Sequence, residues 1–158
     1  MSKIYLYLLL LSSSSWAQNS LPDLILTNLE GKSRALKTDF VQTDKLYVFS
    51  FWATWCGPCI EELEAINEVE ADWKKTINFE ILAVSTDDSR TQKRVKPLAN
   101  GKDWTFEVLL DTNQEFKRAL SIVNIPYLIV VKNNAIVHVQ SGYAAGGENE
   151  LFEKLKQL

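Results

Sequence analysis

Hydrophobic and polar residues occur in blocks along the chain, and each block has a length and period typical of one kind of element. Residues 46–52 (Leu-Tyr-Val-Phe-Ser-Phe-Trp) and 79–84 (Phe-Glu-Ile-Leu-Ala-Val) are almost continuously apolar. Runs of this length, rich in aromatic and β-branched residues, are typical of strands that are covered on both faces of a sheet. We therefore predict two central strands here, and a shorter strand at 106–110.

Four helices follow from blocks with a period of three to four residues. Residues 60–73 carry apolar side chains at helical spacing with Glu and Lys between them, which predicts an amphipathic helix. Its acidic residues in the first turns complement the helix dipole. Residues 90–100 predict a second helix, which Pro97 should end or bend. Residues 111–123 and 148–158 predict the remaining two, so helices separate most of the strands.

Two hairpins complete the pattern. Residues 21–36 contain short apolar runs around Gly31, a residue that suits a turn with positive φ. Residues 127–131 and 135–139 are strand-like and are joined by two asparagines, which also tolerate that conformation. The predicted order is β–β–β–α–β–α–β–α–β–β–α. This order indicates an α/β fold in which a mixed central sheet is flanked by helices, with an N-terminal β-hairpin extension.

Composition limits the kind of protein. The chain has 158 residues, of which 46% are hydrophobic and 23% charged, and this is typical of one globular domain. The net charge of −3 is mild, and we expect no nucleic-acid partner.

The N-terminal residues have the pattern of a secretory signal. Lys3 precedes an apolar run at residues 4–11, then four serines, and Ser15 and Ala17 are small residues at the positions that a signal peptidase reads. We predict a signal peptide at 1–17, a mature domain at 18–158 and a periplasmic location after export across the inner membrane. The apolar run is shorter than the roughly 20 residues that span a bilayer. An uncleaved anchor or a buried strand is the alternative, and no cysteine follows that would carry a lipid.

Cys56 and Cys59 are the only cysteines, and they lie where the strand pattern changes to the helix pattern. Two residues separate them, so a disulfide between them closes a very short loop and contributes little as a structural staple. A structural zinc site needs four ligands, and the chain adds only one histidine, His138. We therefore expect no metal, and no cofactor other than a redox-active disulfide between these two cysteines.

A dithiol at a helix start is suited to thiol–disulfide exchange. Free N–H groups and the helix dipole stabilise a thiolate, and such sites lower a cysteine pKa from about 8.5 into roughly the 3.5–7.5 range. Cys56 is nearest the junction, so we assign it as the attacking thiol and Cys59 as the resolving thiol. Gly57 permits a tight turn and close approach of a partner. Pro58 suits the first helical turn, where no N–H donor is needed.

Residues 51–59 (Phe-Trp-Ala-Thr-Trp-Cys-Gly-Pro-Cys), placed after an apolar strand, resemble the thioredoxin superfamily and in particular its secreted TlpA/ResA-like branch. The resemblance extends over about residues 21–158. It implies a thioredoxin-like fold in which Pro126 is a cis-proline facing the cysteines. It also implies that the backbone of Ile125 pairs with an extended substrate peptide, beside a surface to which Trp55, Gly57 and Pro58 contribute.

The sequence departs from the pattern of many thioredoxins at Ser50, where those proteins carry a buried aspartate that aids proton transfer to the resolving thiol. Relatives of the TlpA/ResA type use an acidic residue just after the next strand. Asp88 falls at that position, with Asp87 adjacent, so Asp88 is our candidate for the proton-handling group. Capping of the following helix is the alternative role for both aspartates.

The resemblance implies a thiol–disulfide oxidoreductase that reduces disulfides of protein substrates outside the cytoplasm. Proteins of this branch often serve cytochrome c maturation, so the resemblance also implies that pathway. A membrane-bound thiol donor would reduce the pair again, since an oxidising compartment supplies no glutathione-type reductant. We expect a monomer. A dithiol oxidase or isomerase is the close alternative. A peroxidase of the peroxiredoxin type is less favoured, because its lone-cysteine motif is absent. A metal-carrying or partner-binding module is also less favoured, because Gly-Pro separates the cysteines.

Overall fold

A computed structural model describes residues 20–158, and the predicted signal peptide lies outside them. No helix within this part of the chain is long and apolar enough to cross a membrane. The elements are β1 (Ile25–Asn28), β2 (Ser33–Ala35), α1 (Leu36–Asp39), β3 (Leu46–Trp52), α2 (Gly57–Trp73), β4 (Phe79–Ser85), α3 (Val95–Gly101), β5 (Glu107–Leu110), α4 (Glu115–Ala119), β6 (Tyr127–Lys132), β7 (Ala135–Ser141) and α5 (Gly147–Leu155).

The strands form one mixed sheet in the order β2-β1-β5-β4-β3-β6-β7. The strands β3, β4 and β5 are parallel, so their carboxyl ends meet at one edge of the sheet. The strands β6 and β7 are added antiparallel on one side, and the hairpin β1–β2 is added antiparallel on the other. The predicted mixed sheet and the N-terminal hairpin are confirmed.

Helices cover both faces of the sheet, which accounts for the continuous apolar runs in the sequence. Every residue of β3 is buried, and so is every residue of β4 except the half-buried Glu80. One core lies beneath α2, α3 and α5, and the other lies beneath α1 and α4 on the opposite face. Because side chains alternate between the faces of a strand, β3 supplies both cores, and its apolar positions cannot be read as one buried face.

The predicted helix at 90–100 is wrong in its extent. Residues Gln92–Arg94 form a 3₁₀ turn, and α3 begins only at Val95. Pro97 therefore lies in the first turn of a short helix rather than in the interior of a long one. The first N–H groups of a helix have no intrahelical partner, so a proline there removes no hydrogen bond and does not end the helix.

The two predicted turns have the expected backbone conformations. Gly31 has a φ of 81°, and its N–H donates to the Asn28 carbonyl at 3.0 Å. Asn133 and Asn134, between β6 and β7, have φ values of 52° and 63°. Positive φ at both central residues is the geometry of the hairpin turn that suits twisted strands, so the asparagine pair is confirmed as a hairpin signal.

Candidate active site

The two cysteines form a disulfide at the point where β3 passes into α2. Cys56 is the N-cap residue of α2, and its Cα lies 5.3 Å from that of Cys59. Cys56 is 7% exposed, whereas Cys59 is completely buried in the first turn of the helix. A partner disulfide approaching from solvent can therefore reach only the Cys56 side, which agrees with the assignment of Cys56 as the attacking thiol.

The start of α2 exposes backbone donors to this sulfur. Gly57 and Pro58 are exposed, Pro58 lies in the first turn, and no side chain caps the helix. The N–H of Ile60 is the first to close a helical bond, donating to the Cys56 carbonyl at 3.2 Å. The N–H groups of Gly57 and Cys59 and the positive end of the helix dipole are thus available to a thiolate at Cys56.

The peptide bond between Ile125 and Pro126 is cis, as the resemblance implied. Strand β6 pairs with β3 so that Tyr127 lies opposite Phe51. Pro126 therefore lies beside the end of β3, a few residues before the disulfide. Ile125 is half-buried and packs against both cores, and this holds its backbone at the same edge of the sheet as Cys56.

Two tryptophans near the cysteines occupy different environments. Trp55 is 63% exposed and presents apolar surface directly before Cys56. Trp52 is completely buried, and its ring packs edge-on against Trp104 at 4.8 Å between centroids. Trp55 is thus suited to contact a substrate, while Trp52 anchors the end of β3 in the core beneath α2.

The neighbouring aspartates after β4 have opposite environments. Asp87 is 1% exposed and accepts hydrogen bonds from the Thr54 N–H at 2.9 Å, the Thr54 hydroxyl at 2.6 Å and the Ser85 hydroxyl at 3.0 Å. Its carboxylate therefore ties the loop before Cys56 to the end of β4. Asp88 points into solvent, where the Arg90 guanidinium donates to it at 2.6 Å and holds the pKa of its carboxyl below the usual range.

A carboxylate with a lowered pKa is a weak proton acceptor, so these contacts give no support to the predicted catalytic role of Asp88, which stays a prediction.

The alternative role of Asp88, capping of the following helix, also differs from the expectation. Asp88 accepts from the Arg90 N–H at 3.0 Å, and its carbonyl accepts from the N–H groups of Thr91 and Gln92. Asp88 therefore stabilises a turn before the 3₁₀ segment instead of capping a helix through its side chain.

The first buried acidic group after Cys59 along α2 is Glu62, three residues further on. Glu62 is 2% exposed, and its carboxylate accepts a hydrogen bond from the Ser50 hydroxyl at 2.9 Å. Burial raises the pKa of Glu62 to about 7, and the hydrogen bond from Ser50 offsets only part of that effect. Residues three apart on a helix are neighbours on its surface, so Glu62 lies on the same face as Cys59.

Glu62 is not among the predicted site residues, because acidic residues in the first turns of a helix are ordinary partners of the helix dipole. The signal was present in the spacing. Glu62 lies three residues after Cys59 and four before Ile66, so it belongs to the apolar stripe that α2 buries. A buried carboxyl on that stripe either has a bonding partner or has a shifted pKa, and either property makes it a candidate functional residue. Ser50, which lacks the carboxyl found in many thioredoxins, here serves as the partner of Glu62.

A disulfide at the start of the helix that follows a central strand, with a cis-proline on the neighbouring strand, defines a thioredoxin-like redox protein. The sequence profile of the AhpC/TSA family matches residues 17–140. Thiol-disulfide oxidoreductase ResA of Bacillus thuringiensis subsp. konkukian is 30% identical over 137 residues, which are 87% of this chain and 75% of that protein. The chain therefore belongs to the AhpC/TSA family, and it is a thiol–disulfide oxidoreductase similar to ResA.

Solved structures agree with this placement. An uncharacterized thioredoxin-like protein from Porphyromonas gingivalis is 43% identical, with a TM-score of 0.74 over 90% of this chain and 92% of that chain. StoA from Bacillus subtilis is 18% identical, with a TM-score of 0.67 over 85% of this chain and 98% of that chain. The second likeness shows the fold alone, and the predicted thioredoxin-like fold is confirmed.

Replacement of each of the two adjacent aspartates, Asp87 and Asp88, should have a different effect on stability. Replacing Asp87 with Ala leaves the Thr54 and Ser85 donors without their acceptor, and we expect a loss of roughly 3 kcal/mol in the free energy of unfolding. Replacing Asp88 with Ala removes only an exposed pair with Arg90 and should change stability little. Urea unfolding of both oxidised variants measures the difference. Equal losses would contradict the assignment of Asp87 as the anchor of the loop before Cys56.

The buried carboxyl predicts a pH dependence of stability. Below pH 4.5 Glu62 is protonated in the folded and unfolded states, and the folded protein keeps that proton until about pH 7. Between these values the unfolded chain ionises first, so stability falls as pH rises, by an amount on the order of 3 kcal/mol. The variant Glu62→Gln should lack this pH-dependent loss in the free energy of unfolding, and it should therefore be more stable than the wild-type protein at pH 7. Urea unfolding at a series of pH values tests it, and parallel curves for both proteins would refute it.

Proposed function

We propose that this protein reduces disulfides of protein substrates outside the cytoplasm, through the Cys56–Cys59 dithiol. The observation that carries the proposal is the asymmetric disulfide at the start of α2, with one sulfur at the surface and the other buried. That arrangement suits one attacking and one resolving thiol. The location rests on the signal-like pattern of residues 1–17, which lie outside the described part of the chain.

The reaction proceeds in two exchanges. The Cys56 thiolate attacks one sulfur of the substrate disulfide, forms a mixed disulfide and releases the other substrate sulfur as a thiolate. The Cys59 thiolate then attacks the Cys56 sulfur and releases the second substrate thiolate, which leaves the Cys56–Cys59 disulfide. Two electrons pass from the protein to the substrate, and the protons of the two cysteine thiols are transferred to solvent or to the released thiolates.

Glu62 supplies a proton acceptor for the second exchange. The Cys59 thiol is buried and must lose its proton before it can attack, and an apolar environment opposes ionisation of a thiol. A carboxyl whose pKa is about 7 is divided between its two forms near neutral pH, and this is the range in which a general base is effective. The Ser50 hydroxyl orients the carboxylate by donating to it.

The substrate lies against an exposed apolar surface beside the disulfide. Trp55 and the backbone at Gly57 and Pro58 border Cys56, and Ile125 precedes the cis-proline at the end of the neighbouring strand. An extended segment of the substrate would pair with the Ile125 backbone and bring its disulfide to Cys56. Both cysteines, the acid and this surface come from one chain, and this is consistent with action as a monomer.

A membrane-bound thiol donor would return the pair to the dithiol form after each turnover. This partner is required because the proposed compartment has no soluble reductant of the glutathione type. The finer proposal, by resemblance to the TlpA/ResA branch, is that the substrates are proteins of cytochrome c maturation whose haem-attachment cysteines must be kept reduced.

Trapping tests the exchange. The variant Cys59→Ala cannot resolve the mixed disulfide, so we expect it to accumulate adducts through Cys56 with proteins of its own compartment. The matched variant Cys56→Ala lacks the accessible thiol and should trap far less. Non-reducing electrophoresis followed by mass spectrometry identifies the adducts. Exchange would be excluded if both variants trapped nothing while the wild-type protein failed to reduce insulin.

The reduction potential of the Cys56–Cys59 pair indicates the direction of electron flow. A reduction potential near −270 mV, similar to that of thioredoxin, is expected of a reductase, whereas values toward −120 mV belong to an oxidant of the DsbA kind. Equilibration of the pair against a glutathione or dithiothreitol buffer gives the potential. A strongly oxidising value would reassign the protein as a dithiol oxidase or isomerase with the same two cysteines.

The role of Glu62 predicts a pH profile for the second exchange. In the wild-type protein, release of the second substrate thiol should accelerate as Glu62 ionises near pH 7. In Glu62→Gln that rise should disappear, and release at pH 7 should slow by about a hundredfold, a magnitude typical of general base catalysis. Single-turnover kinetics with a preformed mixed disulfide isolates this step. Attack by Cys56 on a fresh substrate serves as the control, and equal slowing of both steps would argue against a specific role at Cys59.

A further inference from the structure

The mild net charge conceals a local separation of charge. Residues 90–102 contain five basic side chains and no acidic one, although the whole chain has a net charge of −3. We name as the basic patch the four of these residues at the start of the segment: Arg90, Lys93, Arg94 and Lys96. The segment connects β4 with the end of α3, so it begins directly after the aspartates that follow β4.

The basic patch lies at the edge of the sheet that carries the disulfide. Asp87, which bonds Thr54 two residues before Cys56, precedes the patch by only three residues. Within the 3₁₀ turn, the Gln92 side chain accepts a hydrogen bond from the Thr112 hydroxyl at 3.0 Å, just after β5. These contacts hold the turn across the carboxyl ends of the parallel strands, the same edge at which β3 delivers Cys56.

Three members of the patch have no acidic partner among the described residues. Lys93 and Arg94 are exposed and form no ion pair with any of residues 20–158. Arg90 is paired with Asp88, and the Lys96 ammonium donates to the Leu29 carbonyl at 3.2 Å. The carbonyl is neutral, so Lys96 keeps its full charge. Three uncompensated positive charges therefore lie within one short segment.

Acidic side chains dominate the other side of the disulfide. Glu61 on α2 and Glu150 on α5 are exposed, and Glu148 at the start of α5 accepts a hydrogen bond from the Tyr143 hydroxyl at 2.8 Å. The Gly142 N–H donates to the Pro126 carbonyl at 2.9 Å, so the loop that leads to Tyr143 and α5 lies beside the cis-proline. Burial, and then the negative charge of nearby glutamates, raise the pKa of Tyr143. The basic patch follows β4, whereas these glutamates belong to α2 and α5, so charges of opposite sign come from different elements around this edge of the sheet.

We propose that the basic patch selects protein substrates in which acidic residues flank the disulfide on one side, an inference that rests on the proposed exchange at Cys56. The occupant of the patch is the acidic segment of the substrate protein. Opposite charges increase the rate of encounter between partners by about 10- to 1000-fold in favourable cases, and they orient the partner before contact. Screening by salt acts over about 30 Å at 0.01 M and about 10 Å at 0.1 M, so the preference must weaken as salt is added.

Two synthetic peptides with the same central disulfide, one flanked by glutamates and one by lysines, test this preference. Bis(2-hydroxyethyl) disulfide serves as a neutral reference. The fully reduced protein is mixed with each compound at low ionic strength, and the rate of formation of the Cys56–Cys59 disulfide is followed by acid quenching, alkylation and mass analysis. In each reaction the dithiol loses two electrons, the disulfide compound gains them, and it is released as two thiols.

The test variant is Lys93→Glu/Arg94→Glu, which changes exposed side chains outside the catalytic machinery. The matched control is Lys75→Glu/Lys156→Glu, which changes the net charge equally at the opposite end of the sheet. Those two lysines line grooves beside the first residues of β4 and β3, respectively. Both double variants should react with the neutral disulfide as fast as the wild-type protein.

The wild-type protein and the control are expected to oxidise at least about fivefold faster with the glutamate peptide than with the lysine peptide at 0.01 M salt, and the difference should shrink at 0.5 M salt. The test variant should lose or reverse this preference. A wild-type protein without preference, or a test variant that keeps it, overturns the inference. A wild-type protein that does not react even with the neutral disulfide instead refutes the exchange on which the inference rests.

An anionic membrane is the other surface that could occupy basic side chains, and a second measurement separates the two. If the wild-type protein bound vesicles of phosphatidylglycerol, the test variant did not, and neither distinguished the two peptides, the patch would be a membrane contact and the proposal would be wrong. Discrimination between the peptides without binding to the vesicles supports the proposal.

Discussion

The position of β3 is the constraint on which the site depends. This strand lies between β4 and β6, hydrogen-bonded on both sides and buried at every residue, so its end is among the best-fixed points of the fold. The chain leaves it through a short loop and enters α2 at Cys56. Burial of the strand therefore decides where the helix starts, and the helix start decides which sulfur is accessible. The cis peptide bond before Pro126 comes to the same place because β6 is the antiparallel neighbour of β3.

Two buried carboxyl groups support this junction, and they differ in what their burial does. Asp87 accepts three hydrogen bonds, two from Thr54 and one from Ser85, and these hold the loop in place. Glu62 has one hydrogen bond, from Ser50, and its pKa rises to about 7. Burying a carboxyl with only one hydrogen bond destabilises the fold near neutral pH. The same burial gives a group that can gain and lose a proton in that pH range, which a site of proton exchange needs. One acid thus stabilises the loop, and the other is available for chemistry.

The surface around the disulfide is polarised as well as apolar. Trp55 offers the apolar contact that any unfolded or extended disulfide-containing segment could use. The basic patch after β4 and the glutamates of α2 and α5 add a direction to that contact, because a substrate must match a positive side and a negative side. Overall composition cannot reveal such a pattern, since the two signs cancel in the net charge of −3.

The sequence by itself determined the order of the strands and helices, the two hairpin turns and the pair of cysteines at a strand–helix junction. These features are local: they depend on hydrophobic period, on residues that tolerate positive φ, and on spacing along the chain. Only the tertiary structure decided which acid is buried. Asp87 and Asp88 are adjacent in sequence, yet one faces the loop before Cys56 and the other faces solvent, because the chain turns between them. Glu62 became a candidate base because packing of α2 on the sheet removed water from its side chain, and helical spacing alone does not measure that burial.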